Sequence, residues 1–156
     1  MTLFADLPAA GTAVPDFCLP NQFGEAVRLS GLRGSGVALV FFPFAFSPVC
    51  RGVLAELERE RAMFTDAGVR LLAVSCDSKY TLRAWADHEG FTFDLLSDFW
   101  PHGHTSRAYG VFDDRQGQAA RASFLIDGAG VLRGCIRSDP GLPRPLEQYR
   151  SALEEL

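Results

Sequence analysis

The apolar run Val37-Ala38-Leu39-Val40-Phe41-Phe42 leaves this chain few folds to choose from. A strand with one face in water alternates apolar and polar residues. An unbroken run marks a strand buried on both faces, with strands beside it and helices above and below. A second such run, Val69–Ser75 (VRLLAVS), follows at a distance that fits one intervening helix. Between the two, Val53, Leu54, Leu57, Arg61 and Phe64 recur at helical spacing among alternating acidic and basic residues. That pattern predicts a helix from Arg51 to Ala67, closed by Gly68 as a C′ glycine.

The remainder of the chain extends this order. Asp16–Leu19 and Ala26–Leu29, set among Gly11, Pro15, Pro20 and Gly24, predict an N-terminal hairpin. The stretch GLRGSG (31–36) reads as a turn, because it lacks the Lys-Ser/Thr pair of a phosphate loop and precedes a strand. Asp77 or Ser78 is placed to cap a helix that runs to His88, with Leu82 and Trp85 inward and Gly90 closing it. Phe93–Leu96 reads as a short strand, 98–105 as a loop and Ser106–Tyr109 as a helical turn. Ala122–Ile126 and Val131–Ile136 flank the turn Asp-Gly-Ala-Gly (127–130) as a β-hairpin, and Leu146–Leu156 forms a last helix. Strand–helix–strand–helix, then a hairpin and a helix, is the order of a thioredoxin-like α/β fold with a mixed central sheet. Residues 1–156 are read as a single domain, since no repeat or linker divides them.

Charge and composition exclude several function classes. A net charge of −4, with Lys79 as the single lysine, gives no footprint for nucleic acid. The longest apolar run, Val37–Phe46, is interrupted by Pro43 and is about half of what a membrane-spanning helix requires. The opening residues lack the charged and apolar regions of a secretory signal, so the expected compartment is the cytoplasm. Cys18, Cys50, Cys76 and Cys135 show no C-x-x-C and no zinc-ligand spacing, which reads as thiols and no metal centre.

Cys50 stands out among them by position. If the first strand ends near Pro43 and the helix starts at Pro48, Cys50 lies in the first helical turn. N–H groups there lack intrahelical partners and the helix dipole is positive, which favours a thiolate, the nucleophilic form of cysteine. The same place is the C-terminal edge of a parallel strand, where open α/β sheets bind ligands. A buried cysteine elsewhere is usually a small hydrophobe; this one occupies a reactive position.

The local spacing points further. Pro43-x-x-x-Ser47-x-x-Cys50 resembles the active-site motif P-x-x-x-[TS]-x-x-C of peroxiredoxins, and FFPFAFSPVC is most similar to the one-cysteine, alkyl hydroperoxide reductase E-like subfamily. The likeness extends over nearly the whole chain, through PDFCLPNQFGEAVRLSGLRG, GFTFDLLSDFWPHG and YGVFDDRQGQAARASFLID, the last carrying the arginine expected at the site, Arg121. The resemblance implies a thiol peroxidase acting on hydrogen peroxide, organic hydroperoxides or peroxynitrite, without metal or organic cofactor. Cys50 would be the peroxidatic cysteine, oxidised to sulfenic acid. Arg121 would supply fixed positive charge, Ser47 a hydroxyl for the peroxide, and Pro43 a shield for one side of the sulfur. A homodimer is the implied assembly. Where many members carry Glu or Gln to support the arginine, this chain has Val53.

The second half of the cycle is less determined. The position five residues after Cys50, where a local resolving cysteine stands in some members, is Ala55, and no cysteine follows Cys135. Cys18 and Cys135 read as structural. Cys76, at the end of the second buried strand, is the candidate resolving thiol; the favoured reading is one-cysteine chemistry completed by an external thiol or small redoxin. A thiol–disulfide oxidoreductase is disfavoured by Cys50-Arg51-Gly52-Val53, which has no second cysteine. A redox sensor or chaperone-like member with little turnover is the remaining alternative. His102 and His104 are read as loop histidines, and Phe44, Phe46, Phe99 and Trp100 as an aromatic set lining a peroxide pocket or a dimer interface.

Overall fold

Both apolar runs are strands of one mixed sheet, β3 (Gly36–Phe41) and β4 (Val69–Ser75), which pair in parallel at its centre. The computed structural model describes residues 3–137 and 146–156. β5 (Asp94–Ser97) extends the parallel set beyond β4, and β8 (Ala122–Ile126) pairs antiparallel with β3 on the other side. β9 (Leu132–Arg137) closes the order β5-β4-β3-β8-β9. Two short antiparallel ribbons lie apart from it. The first, β1 (Cys18–Pro20) with β2 (Ala26–Arg28), is the expected N-terminal hairpin; the second, β6 (Phe112–Asp113) with β7 (Gln118–Ala119), had no alternating signal to announce it.

The alternation of side chains along β3 divides the interior into two layers. Ala38, Val40 and Phe42 face α1 (Pro48–Arg59), α2 (Arg61–Asp66), α3 (Lys79–Glu89) and α5 (Leu146–Leu153), packing with Leu54, Leu57, Phe64, Trp85 and Tyr149. Val37, Leu39 and Phe41 face the opposite layer, with Phe17, Leu29, Tyr109 and Val111. The Tyr149 and Ser123 hydroxyls bond across 2.7 Å within the first layer, and the Tyr109 hydroxyl donates to the Pro15 carbonyl in the second. The continuous apolar runs are explained: every residue of β3 has a covered side to fill.

The helix predicted over 51–67 starts earlier, at Pro48, and breaks at Glu60, whose backbone (φ −104°, ψ 19°) leaves the helical region. The break lets Phe64 turn inward to meet the Tyr149 ring edge-on. Arg61, counted on the apolar side by its spacing, instead faces outward, bonding Thr92 and pairing with Glu58. Ser78 does cap α3, accepting from the Thr81 N–H, and Gly90 ends it at φ 78°. The helical turn expected at 106–109 is α4 (His104–Ala108), shifted by two residues. Gly103 at φ 73° starts it where a Cβ would collide with the Phe112 ring, and buried Asp98 accepts the Thr105 and Ser106 N–H groups.

Candidate active site

The C-terminal ends of β3, β4 and β5 lie on one edge of the sheet, and the start of β8 joins them because it runs the opposite way. Phe41 pairs with Ala122, so the next step of the register sets Arg121 across from Phe42. Phe41 also pairs with Val74, and Ser75 with Ser97, which puts Cys76 and Asp98 one residue past the same edge. The Phe42 N–H still bonds the Val74 carbonyl at 2.9 Å. Pro43 is then buried, and having no N–H it ends the ladder there.

Residues 43–47 turn the chain from β3 into α1. The Ala45 N–H donates to the Asp77 carboxylate at 2.8 Å. Phe46 takes a left-handed conformation (φ 69°), uncommon for a bulky residue, and lays its ring against Trp85 and His88 of α3. Ser47 is the N-cap of α1 by backbone, its carbonyl accepting the Arg51 N–H at 2.9 Å, yet its hydroxyl makes no capping bond. Pro48 is the first helical residue, where its missing N–H costs nothing. Cys50 is therefore third in the helix, at its positive end, only 1% exposed and packed beside Val53 and Leu54.

Two buried polar atoms at this edge have no hydrogen-bond partner, Ser47 Oγ and Arg121 Nε. The third such atom among the described residues, Trp85 Nε1, belongs to the ring under Phe46. A buried polar group left unpaired costs about 1–3 kcal/mol, so each such group calls for an explanation, of which a role in chemistry is one. Val53, at the position where the resemblance expects Glu or Gln, is 4% exposed and part of the apolar layer, so nothing from that position supports Arg121. The sulfur of Cys50 thus shares one sheet edge with a guanidinium and a hydroxyl, each carrying an unused hydrogen-bonding atom.

Cys76 reaches the same edge but faces the other layer. Its sulfur lies beside Ser106 and Ala119 of that layer, and burial, with the nearby Asp98 charge, pushes its thiol up to about 11. Asp98 itself is held above the usual carboxylate range by burial. Cys18 and Cys135, read from sequence as structural, are both exposed. The reason for Cys135 is that β9 is the edge strand, and alternation turns Cys135 outward between half-buried Gly134 and buried Ile136. His102 bonds the Gly117 carbonyl and lies edge-on to Phe99 and Phe112, while His104 opens α4. Phe44, Phe46, Phe99 and Trp100 are all exposed, Trp100 by 80%. Sequence reasoning treated Asp77 only as a helix cap and did not see Phe46 as a strained hinge; no residue type announces either role.

Comparison with known proteins matches residues 10–135 to the model of the AhpC/TSA family. Alkyl hydroperoxide reductase E of Mycobacterium tuberculosis (strain ATCC 25618 / H37Rv) is 42% identical over 147 residues, covering 94% of this chain and 96% of its own. Thioredoxin peroxidase of Fasciola hepatica is 31% identical over 155 residues, covering 90% and 79%. Among solved structures, peroxidoxin BcpB from Mycobacterium tuberculosis superposes with a TM-score of 0.84 at 27% identity, covering 93% of this chain and 96% of the other. Enterococcus faecalis AhpC gives 0.83 at 30% identity, covering 93% and 90%.

Proposed function

The chain belongs to the AhpC/TSA peroxiredoxin family, and from that premise we propose that it is a thiol peroxidase whose peroxidatic residue is Cys50. The observation that supports the assignment of residues is that Cys50 stands at the same sheet edge as two unused buried atoms, Ser47 Oγ and Arg121 Nε. The Cys50 thiolate attacks the terminal oxygen of a hydroperoxide, forming the S–O bond as the O–O bond breaks. The electron pair of that bond leaves with the second oxygen as alkoxide or hydroxide, which takes a proton and departs as alcohol or water. Arg121 faces the negative charge developing along that axis, and Ser47 donates to the leaving oxygen. Both donors are fixed by the sheet edge and the helix start before substrate arrives, so little reorganisation is needed during reaction. Pro43, buried and without an N–H, closes the floor of the turn beneath them.

The resulting sulfenic acid is returned to thiol by a low-molecular-weight thiol or a small redoxin. That reading is supported by Cys76, whose neighbours lie in the opposite layer and whose thiol, raised to about 11 by burial, is too little ionised to be a good nucleophile. The first thiol condenses with the sulfenic acid to a mixed disulfide and releases water; a second thiol frees Cys50 and leaves oxidised with the first. We assign residues 1–156 to one domain, working as a homodimer in the cytoplasm. No helix among the described residues is long and apolar enough to cross a membrane. The test is stopped-flow consumption of hydrogen peroxide, an organic hydroperoxide and peroxynitrite by the reduced protein. Rapid loss in wild type and none in Cys50→Ser supports the proposal; equal slow loss in both refutes it and leaves the sensor reading.

A further inference from the structure

The loop that delivers Cys50 is tied down at one point by a residue from another strand's end. Asp77 follows β4, and one oxygen of its carboxylate, Oδ2, accepts both the Ala45 N–H at 2.8 Å and the Ser75 hydroxyl at 2.7 Å. The Asp77 N–H donates back to the Ser75 Oγ at 3.2 Å, and the Asp77 carbonyl accepts the Ser97 hydroxyl at 2.6 Å. Ser75 and Ser97 are buried, so this network is a rigid bracket joining the ends of β4 and β5 to the loop. The next residue along the loop, Phe46, has φ 69°, a conformation that costs a bulky side chain on the order of 1–2 kcal/mol. It persists because both sides are held, the Ala45 amide by Asp77 and the Phe46 ring by Trp85 and His88. Ser47 follows directly, and its buried hydroxyl makes no capping bond to the helix it starts.

We propose that Asp77 is a positioning residue for the peroxidase reaction, holding the Ala45 amide so that the strained turn at Phe46 presents Ser47 beside Cys50. It touches neither substrate nor sulfur and acts through the backbone of residues 45–47. The role rests on the peroxidase reading given above. Without the charged acceptor, Phe46 relaxes toward an ordinary backbone conformation and Ser47 turns toward the orphan N–H groups of α1, as an N-cap serine normally does. The peroxide then loses a fixed donor, whereas reactions that need only the sulfur do not.

The experiment compares two rates at Cys50 in reduced full-length protein: oxidation by hydrogen peroxide and alkylation by iodoacetamide, which uses the thiol without Ser47. Asp77→Ala lowers the ratio of the two by about tenfold, and Asp77→Asn, which keeps a neutral acceptor for the Ala45 N–H, by about threefold. If Asp77→Ala does not fold, Asp77→Asn decides. Gln22→Ala serves as the structural control, because the Gln22 side chain bridges the Phe93 carbonyl and the Leu95 N–H away from the loop. It lowers the melting temperature and leaves the ratio at the wild-type value. A wild-type ratio in both Asp77 variants overturns the role of Asp77 while wild type still consumes peroxide. A wild type that does not react with peroxide overturns the peroxidase reading and this role with it.

Discussion

Cys50 and Cys76, the two buried thiols, press against opposite faces of the central sheet. Cys50 lies in the first turn of α1, in the layer that holds Val53 and Leu54, and Cys76 lies beside Ser106 and Ala119 in the other layer. A disulfide between them would require their Cα atoms to approach within about 7 Å with converging Cβ vectors. With one sulfur in each layer, that requires the edge of the sheet to come apart.

Cys76→Ser therefore keeps its turnover. With an external thiol as reductant, its steady-state rate of peroxide consumption stays within about twofold of wild type, since no step passes through the lost sulfur. A coupled assay over several turnovers checks this. Loss of turnover after one equivalent of peroxide in Cys76→Ser contradicts it.

Alkaline stability follows from the same burial. The Cys76 thiol is raised from an ordinary value of 9.0 to about 11, so between those values the folded chain holds a proton that the unfolded chain has released. Stability is then complete below pH 9 and falls as pH rises; by pH 11 the loss is roughly 2 kcal/mol. Tyr109, also raised by burial, adds to the fall above its ordinary value of 10.0. Denaturant unfolding from pH 8 to 11 measures the slope, which is shallower in Cys76→Ser because a serine hydroxyl does not titrate there.

Ser47 and Arg121 separate stability from activity. Ser47→Ala removes a buried hydroxyl that has no partner, so the folded state loses nothing and gains up to about 1 kcal/mol. The rate with peroxide nevertheless falls about tenfold. Arg121→Met, which removes the positive charge that the proposed mechanism sets against the peroxide, lowers it by roughly 10²–10³. Stopped-flow rates beside denaturant midpoints test the pair; a Ser47→Ala variant that is both less stable and fully active contradicts the assignment.

Much of the fold was legible because its signals are local. An apolar run with no polar alternation means a strand covered twice, and Val37–Phe42 is one. Ser78 and Gly90 mark the ends of α3 by chemistry that needs no tertiary context. Arg121 entered only through the family resemblance; the register of β8 on β3 then puts it at the edge where Cys50 stands. What stayed hidden depends on contacts far along the chain. Glu60 sits among good helix formers and still breaks the helix, because Phe64 turns in to meet Tyr149. The start of α4 is set by Asp98, whose carboxylate reaches forward to two amides before the helix has any apolar period to show. The left-handed Phe46 and the uncapped Ser47 hydroxyl depend on Asp77, 32 residues beyond Ala45.

The central claim, that the Cys50 sulfur alone takes the peroxide oxygen, is tested most directly by trapping the product. Reduced protein is given one equivalent of peroxide in the presence of dimedone, and each cysteine is quantified by mass spectrometry. The account predicts one adduct per chain, at Cys50, unchanged in Cys76→Ser and absent in Cys50→Ser. Adduct distributed over exposed Cys18 and Cys135 with none at Cys50, or a Cys50–Cys76 disulfide in place of the adduct, would contradict it.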